Sequence, residues 1–455
     1  MGQFFGTDGV RGIPGRYPLT EGTVAEIAEV AARLLLKQGC PVGASSVLIG
    51  RDTRDSGPAI GRWLAEGFAA AGCGTWDLGV ATTPAVAYLT PRTGVVCGVV
   101  VSASHNPAQF NGIKFFTHDG YKMSPELEDA VEKGLSPEGQ ARLRRRGARP
   151  RDAAGWVRRY EEFLRSTFPS HLDLSGMRLV VDCGHGAASH IAPALFSDLG
   201  AEVVALGCAP DGRNINLRYG ALYPERMQAA VRRHRADCGV SFDGDADRVI
   251  FSDEKGRILN GDQLICFSAL HLHRGGLLRG GKVVLTVMSN YGLVRFLETH
   301  GIGVVSVPVG DRNVTEAIEA EGLSLGGESS GHIIFRSFAS TGDGILTAVQ
   351  TLAALRACGG RLSAYHALFR PMPQVLRNLA VEGKVPLDRL PRLRRLIHSC
   401  EATLRGEGRV FLRYSGTEPL LRILIEGPGR ARIERMARQL AATYLSETGQ
   451  KELSQ

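Results

Sequence analysis

Short β-branched runs alternate with amphipathic stripes along most of the chain. EGTVAEIAEVAARLLLKQ (21–38) sets Val24, Ile27, Ala28, Ala31, Leu34 and Leu35 on one face at the helical period, which predicts a helix. SVLIG (46–50) and VVCGVVV (95–101) are continuous apolar runs, the pattern of strands buried on both faces. Strands that alternate with helices predict an α/β architecture with parallel or mixed sheets.

The alternation also repeats. SVLIGRDTRDSG (46–57), RLVVDCGHGAASH (178–190) and KVVLTVMSNYG (282–292) each read as strand, polar loop, helix. A second strand opening after glycine follows each one: GCGTWDLG (72–79), GAEVVALG (200–207) and GIGVVSVPVG (301–310). A third strand then runs into a polar loop: VVVSASHNP (99–107), GVSFDGDADR (239–248) and LSLGGESSGH (323–332). Sites in open α/β sheets form at the carboxyl ends of strands, so three such units facing one cleft bring these loops together. From about residue 371 the pattern changes. MPQVLRNLAV, RVFLRYSGTEPLLRILIEG and a helix around 430–446 predict a smaller α+β unit with an antiparallel sheet. PMPQ (371–374) reads as a hinge, and the polar tail SETGQKELSQ as a frayed end. The expected domains are therefore 1–152, 153–254, 255–370 and 371–455.

Composition narrows the function classes. The 455 residues are 44% hydrophobic and 22% charged, which suits several globular domains with real cores. The net charge of +8 favours an anionic small-molecule substrate through steering. Six arginines fall in ARLRRRGARPR (141–151), but no aromatic residue is interleaved for base stacking. That stretch reads as a solvated linker and not as a nucleic-acid surface. No apolar run is long enough to cross a bilayer, and MGQFFGTDGVRG is not a secretion signal. The nine cysteines are scattered and never spaced C-x-x-C, which speaks against a disulfide framework or zinc site and for a reducing cytoplasm.

Four stretches carry chemistry. In FDGDADRVIFSDE (242–254), Asp243, Asp245 and Asp247 alternate, and in an extended segment their carboxylates point one way. An all-oxygen set of like charges selects a hard cation, magnesium or calcium. An EF-hand is excluded, because Arg248 stands where its sharp turn needs glycine. LGGESSGHIIF (325–335) offers Glu328, Ser330 and His332, a mixture that suits sugar hydroxyls, which both donate and accept. RYSGTEPLLRI (413–423) offers Arg413, Ser415, Gly416, Thr417 and Arg422, the chemistry of a phosphate cradle without a Walker loop. FGTDGVRG (5–12) flanks Arg11 with glycines and makes it a candidate for stabilising a transferring phosphoryl group. SASHNP (102–107) lacks the G-x-S-x-G of a hydrolase elbow, and adjacent Ser104 and His105 on a strand would face opposite ways, which disfavours a Ser–His dyad. A serine beside a metal loop suits a phosphoryl carrier instead.

Taken in order, FGTDGVRG, GRDTRDSG, SASHNPAQFNGIKFF, DGDADR, VGDR, GGESSGH, STGDG and RYSGTEP span essentially the whole chain. In them the chain resembles the α-D-phosphohexomutases, most of all their bacterial branch acting on glucosamine phosphate. The resemblance implies three related α/β domains with mixed sheets plus a smaller C-terminal α+β domain of TATA-binding-protein type around a central cleft. It implies a phosphoserine at Ser104 and one Mg2+ held by Asp243, Asp245, Asp247 and a Ser104 phosphate oxygen. Arg11, His105, Lys114 and Arg248 match positions near the transferred group, Lys114 the one that moves the hydroxyl proton. Glu328, Ser330 and His332 match the sugar site, and Arg413, Ser415, Gly416, Thr417 and Arg422 the substrate-phosphate site. The implied reaction passes through a hexose 1,6-bisphosphate that turns over in the cleft, in a cytoplasmic monomer or homodimer that supplies UDP-N-acetylglucosamine synthesis. Ser329 and Asn313 replace the Gln and Tyr usual in that branch. The alternatives are the phosphomannomutase/phosphoglucomutase branch and a non-catalytic sugar-phosphate sensor.

Overall fold

The computed structural model describes residues 4–6, 8–136, 148–414 and 419–450. The helix expected at the N-terminus runs Glu21–Lys37, capped where Thr20 accepts a hydrogen bond from the Thr23 N–H. Val24, Ile27, Ala28, Ala31 and Leu35 are buried along it, in a core shared with Val47, Ile49, Val99 and Val101.

The repeat is present as one strand order used three times. Ser46–Arg51 is hydrogen-bonded between Gly74–Val80 and Cys97–Val101, all parallel. Arg178–Asp182 lies likewise between Glu202–Leu206 and Cys238–Phe242. Lys282–Thr286 lies between Gly303–Val307 and Leu325–Gly327. In each sheet the third strand then turns back into a fourth, antiparallel one: Asn111–Thr117, Val249–Asp253 and Ile333–Phe335. The three polar loops are the connections into these reversed strands, so each sits at the carboxyl end of its third strand. The first sheet is extended to seven strands by the hairpin Phe5–Gly6 and Gly9–Gly12 and by Arg151–Asp152. Arg142 and Arg144 to Arg146 of the arginine run fall outside the described residues, whereas Arg151 pairs with Trp76 at the sheet edge.

The chain divides into two compact units, Met1–Met288 with Ile302–Leu368, and Ser289–Gly301 with Phe369–Gln455. The second is built on a three-stranded antiparallel sheet, Gln374–Ala380, Leu420–Glu426 and Arg409–Tyr414, with the middle strand of the sheet last in sequence. Pro391–Leu404 and Arg430–Thr448 supply its helices, and Leu393, Leu404, Ile423, Ile433 and Leu440 its core. The helix Tyr291–Thr299, which the repeat pattern attaches to the third α/β module, belongs to this second unit. Asn290 is the reason: its side chain bonds the Met372 backbone in both directions, at 3.1 and 2.8 Å. Among the described residues no helix is long and apolar enough to cross a membrane.

Candidate active site

The strand Cys97–Val101 ends before the serines, and the backbone leaves the β region at once. Ser104 has a φ of 52°, a left-handed value that is uncommon for a residue with a Cβ. Its Oγ donates to Asp243 Oδ2 at 2.7 Å and lies 3.2 Å from His105 Nδ1. This corrects the expectation that neighbouring Ser104 and His105 face apart, which holds on a strand and not in this turn. Ser102 supports the turn, because its Oγ accepts the Ser104 N–H at 2.8 Å.

The acidic loop is corrected in the same way. Residues 243–248 are a turn and not an extended segment, with Ala246 at a φ of 58°. The three carboxylates still converge, with one oxygen of each of Asp243, Asp245 and Asp247 within 4.8 Å of the others. What holds the turn is a neighbour on every side. The carbonyls of Gly244, Asp245 and Ala246 accept N–H bonds from Ala187, Thr83 and Gly344, at 2.9, 3.0 and 2.9 Å, one from each α/β module. Gly186 has to be glycine for this, since a Cβ there would meet the Gly244 oxygen at 2.4 Å.

Buried like charges need compensation. Burial and the charges of Asp247 and Asp245 push the Asp243 carboxyl well above the usual carboxylate range. Burial also works against Asp247, but Lys114, His332 and Arg248 overcome it and hold that group well below. Asp245 Oδ1 and Asp247 Oδ1 are buried and make no hydrogen bond. Two unsatisfied carboxylate oxygens beside a third carboxylate fit a hard divalent cation, and magnesium suits this donor set.

Cations crowd the other side. Lys114, buried on the reversed strand Asn111–Thr117, places Nζ 2.9 Å from Asp245 Oδ2 and 2.8 Å from Asp8 Oδ2. Burial opposes its charge, but Asp245, Asp8 and Asp247 hold it well above the normal lysine range. Arg11 bonds Asp8 at 2.6 Å, while Arg248 bonds the loop through its backbone N–H to Asp243 at 3.1 Å. The Nε of both arginines is buried and makes no hydrogen bond, that of Arg248 standing 3.8 Å from Asp247 Oδ1, so both have donor capacity for an anion. Burial, with Arg248 and Arg11 nearby, lowers His105 to about 4, so its ring is neutral at pH 7.

The third loop is anchored against this group. Glu328 Oε1 accepts the Gly310 N–H at 3.1 Å and Oε2 the Ser330 hydroxyl at 3.3 Å. The Val249 N–H donates to Gly331 at 3.1 Å and ties the sugar-type loop to the acidic one. His332 faces inward: Nε2 accepts the Gly342 N–H at 3.1 Å, and Nδ1 stands 3.7 Å from Asp247. In the second unit Arg413 and Arg422 are register partners on adjacent strands. Burial and the Arg422 charge lower Arg413. Ser415, Gly416 and Thr417 lie outside the described residues.

Three residues escaped the sequence reading. Asp8 receives Arg11, Lys114 and Lys122, and burial is outweighed by those cations, which hold it well below the usual carboxylate range. Lys122 bridges Asp8 to Asp311 of the VGDR stretch. The signal was available in TDG and GDR, each an acid beside a glycine, but nothing in the sequence paired them.

The fold is similar to that of a solved phosphoglucomutase/phosphomannomutase family protein from Burkholderia thailandensis. Its TM-score is 0.78 at 23% identity, covering 98% of each chain. Residues 2–142, 157–256 and 260–372 match the phosphoglucomutase/phosphomannomutase alpha/beta/alpha domains I, II and III, and 376–443 the C-terminal domain. The chain is 42% identical to a phosphoglucosamine mutase of Bdellovibrio bacteriovorus over 97% of each, and 45% identical to one of Alkalilimnicola ehrlichii over 96% of each. The chain belongs to the phosphoglucomutase/phosphomannomutase family, in its phosphoglucosamine mutase branch.

Proposed function

We propose that this isomerase interconverts glucosamine 6-phosphate and glucosamine 1-phosphate, carrying the phosphoryl group on Ser104, in the cytoplasm. The observation that carries the reading is Ser104 Oγ, buried and 2.7 Å from a carboxylate of the converging trio. Asp243, Asp245 and Asp247 would hold magnesium together with a phosphoserine oxygen, and the bound ion supplies charge neutralisation to the transferring phosphoryl group.

The chain's own groups account for the rest. A free sugar hydroxyl attacks the phosphorus of phospho-Ser104 as the bond from phosphorus to Oγ breaks, giving a hexosamine 1,6-bisphosphate. Lys114, charged in its pair with Asp8 and Asp245, gives a proton to the freed serine oxygen as it takes one from the attacking hydroxyl. Arg11 and Arg248 direct their spare Nε donors at the phosphoryl oxygens, and neutral His105 accepts from or donates to Oγ. Glu328 and Ser330 bind sugar hydroxyls, with His332 steadying Asp247 behind them. Arg413 and Arg422, with Ser415, Gly416 and Thr417, hold the phosphate that is not being transferred. The bisphosphate then reverses, and its other phosphate returns to Ser104.

Incubation with a hexose 1,6-bisphosphate, followed by tandem mass spectrometry, tests the carrier. Phosphate on Ser104 is expected, together with loss of turnover in Ser104→Ala. Phosphate on another residue, or a Ser104→Ala variant that still turns over, would contradict it.

A further inference from the structure

The motif GRDTRDSG has no part in the chemistry above, yet it holds one of the largest fully buried side chains, Arg54. A guanidinium has five N–H donors in a rigid fork, and a buried one must satisfy them. Here all five are used. Nε donates to Asp52 Oδ2 at 2.9 Å. Nη1 donates to the carbonyls of Pro107 and Phe110, at 2.5 and 2.8 Å, and Nη2 to those of Ser104 and Asn106, at 3.1 and 2.9 Å. Four carbonyls of one short loop, 104–110, therefore close around a single cation.

Asp52 extends the arrangement. It accepts Ser102 Oγ at 2.7 Å, and Ser102 in turn accepts the Ser104 N–H. Both the carbonyl and the amide of Ser104 are thus set by the Arg54–Asp52 pair. That pair holds a backbone whose φ of 52° is uncommon for a residue with a side chain. The turn also closes locally, where the Asn106 N–H donates to the Ala103 carbonyl at 3.0 Å, and the pair adds the contacts that set Ser104 within it. The second module adds one partner, since Asn216 Nδ2 bonds the Ser104 and Asn106 carbonyls at 2.9 and 3.2 Å.

We propose that Arg54 is a positioning residue for phosphoryl transfer, shaping the 104–110 loop around its guanidinium so that Ser104 Oγ faces the metal carboxylates. The inference rests on Ser104 as the phosphoryl carrier. Lysine at this position keeps the charge but has at most three donors on a different geometry, so at least two of the five bonds are lost.

The experiment compares wild type, Arg54→Lys and a control, Val99→Ala, which thins the adjacent buried strand and touches none of these groups. Each dephosphorylated protein is mixed with glucose 1,6-bisphosphate, and the gain of one phosphate is timed by intact mass. Steady-state kcat and KM and the Mn2+ affinity are measured alongside. Misplacing a reacting atom by about 1 Å costs roughly 100-fold, so Arg54→Lys should load and turn over about that much more slowly. KM and Mn2+ affinity should hold, because the sugar and acidic loops are built by other residues. The control, melting equally early, should keep its kcat. Loading of Arg54→Lys at the wild-type rate overturns the proposal, as does an equal kcat loss in the control. Wild type that takes up no phosphate on Ser104 instead overturns the carrier reading on which it rests. If Arg54→Lys does not fold, Asn216→Ala removes the other donor to the same carbonyls. A drop in loading rate of at least tenfold with unchanged KM supports the proposal there, and an unchanged rate overturns it.

Discussion

At the scale of single residues, the site is a balance of buried charges, and the proposed function completes it with a cation and an anion. Without a metal the site holds three crowded buried carboxylates, and burial with Asp247 and Asp245 disfavours the charge on Asp243. Asp243→Asn should accordingly be no less stable than wild type in chelator at pH 7, and Mg2+, expected to raise the wild-type melting temperature by binding the folded state, should not raise that of the variant. Thermal scans with and without Mg2+ check both halves. Lys114→Met removes the proton relay and should lower kcat by about 100-fold to 10,000-fold with little change in KM, read in a coupled assay. Much of this site was legible as residues. Ser104, the three aspartates and Lys114 stand in motifs whose chemistry is local. Asp8, Lys122 and Asp311 were not legible, because their meaning lies in one ammonium shared by two carboxylates, each more than a hundred positions from it.

At the scale of elements, the acidic loop owes its shape to helix N-termini. Thr83 and Gly344 open helices Thr83–Leu89 and Gly344–Cys358, and their free amides take the Asp245 and Ala246 carbonyls. The cap of the second helix, Asp343, is buried and accepts the Leu346 N–H and the Tyr160 hydroxyl, at 2.9 and 2.8 Å. Burial raises its carboxyl to about 6 despite those bonds. An unfolded aspartate releases its proton near pH 3.9, so between roughly pH 4 and 6 the folded state binds more protons and loses stability as pH rises. The loss is on the order of 3 kcal/mol and is nearly complete by about pH 7. Asp343→Asn keeps a cap acceptor and should flatten that part of the curve, measured by urea unfolding below and above the window. Strands such as Ser46–Arg51 and Cys97–Val101 were legible because they are largely continuous apolar runs. The turn at Ala246 was not, since alternation of aspartates describes an extended chain equally well, and only the three neighbouring amides decide against it.

At the scale of the whole molecule, one strand order used three times places a serine loop, a metal loop and a sugar-type loop at equivalent ends of three sheets. That organisation was legible from the period of the pattern. The attachment of Tyr291–Thr299 to the second unit was not, because it depends on Asn290 meeting Met372 across about eighty residues of chain. The net charge of +8 should steer anionic sugar phosphates, so kcat/KM should fall with added salt while kcat holds, over concentrations where the Debye length shrinks from about 10 Å. The central claim concerns which sugar is handled. Phosphohexomutase chemistry is common to the family, while Ser329 and Asn313 stand beside the sugar-type loop and its VGDR neighbour. The most direct measurement is kcat/KM of the purified Mg2+-loaded protein on the 1-phosphates of glucosamine, glucose and mannose under one set of conditions. The highest value is expected for glucosamine 1-phosphate, and a higher value for mannose or glucose 1-phosphate would contradict the assignment.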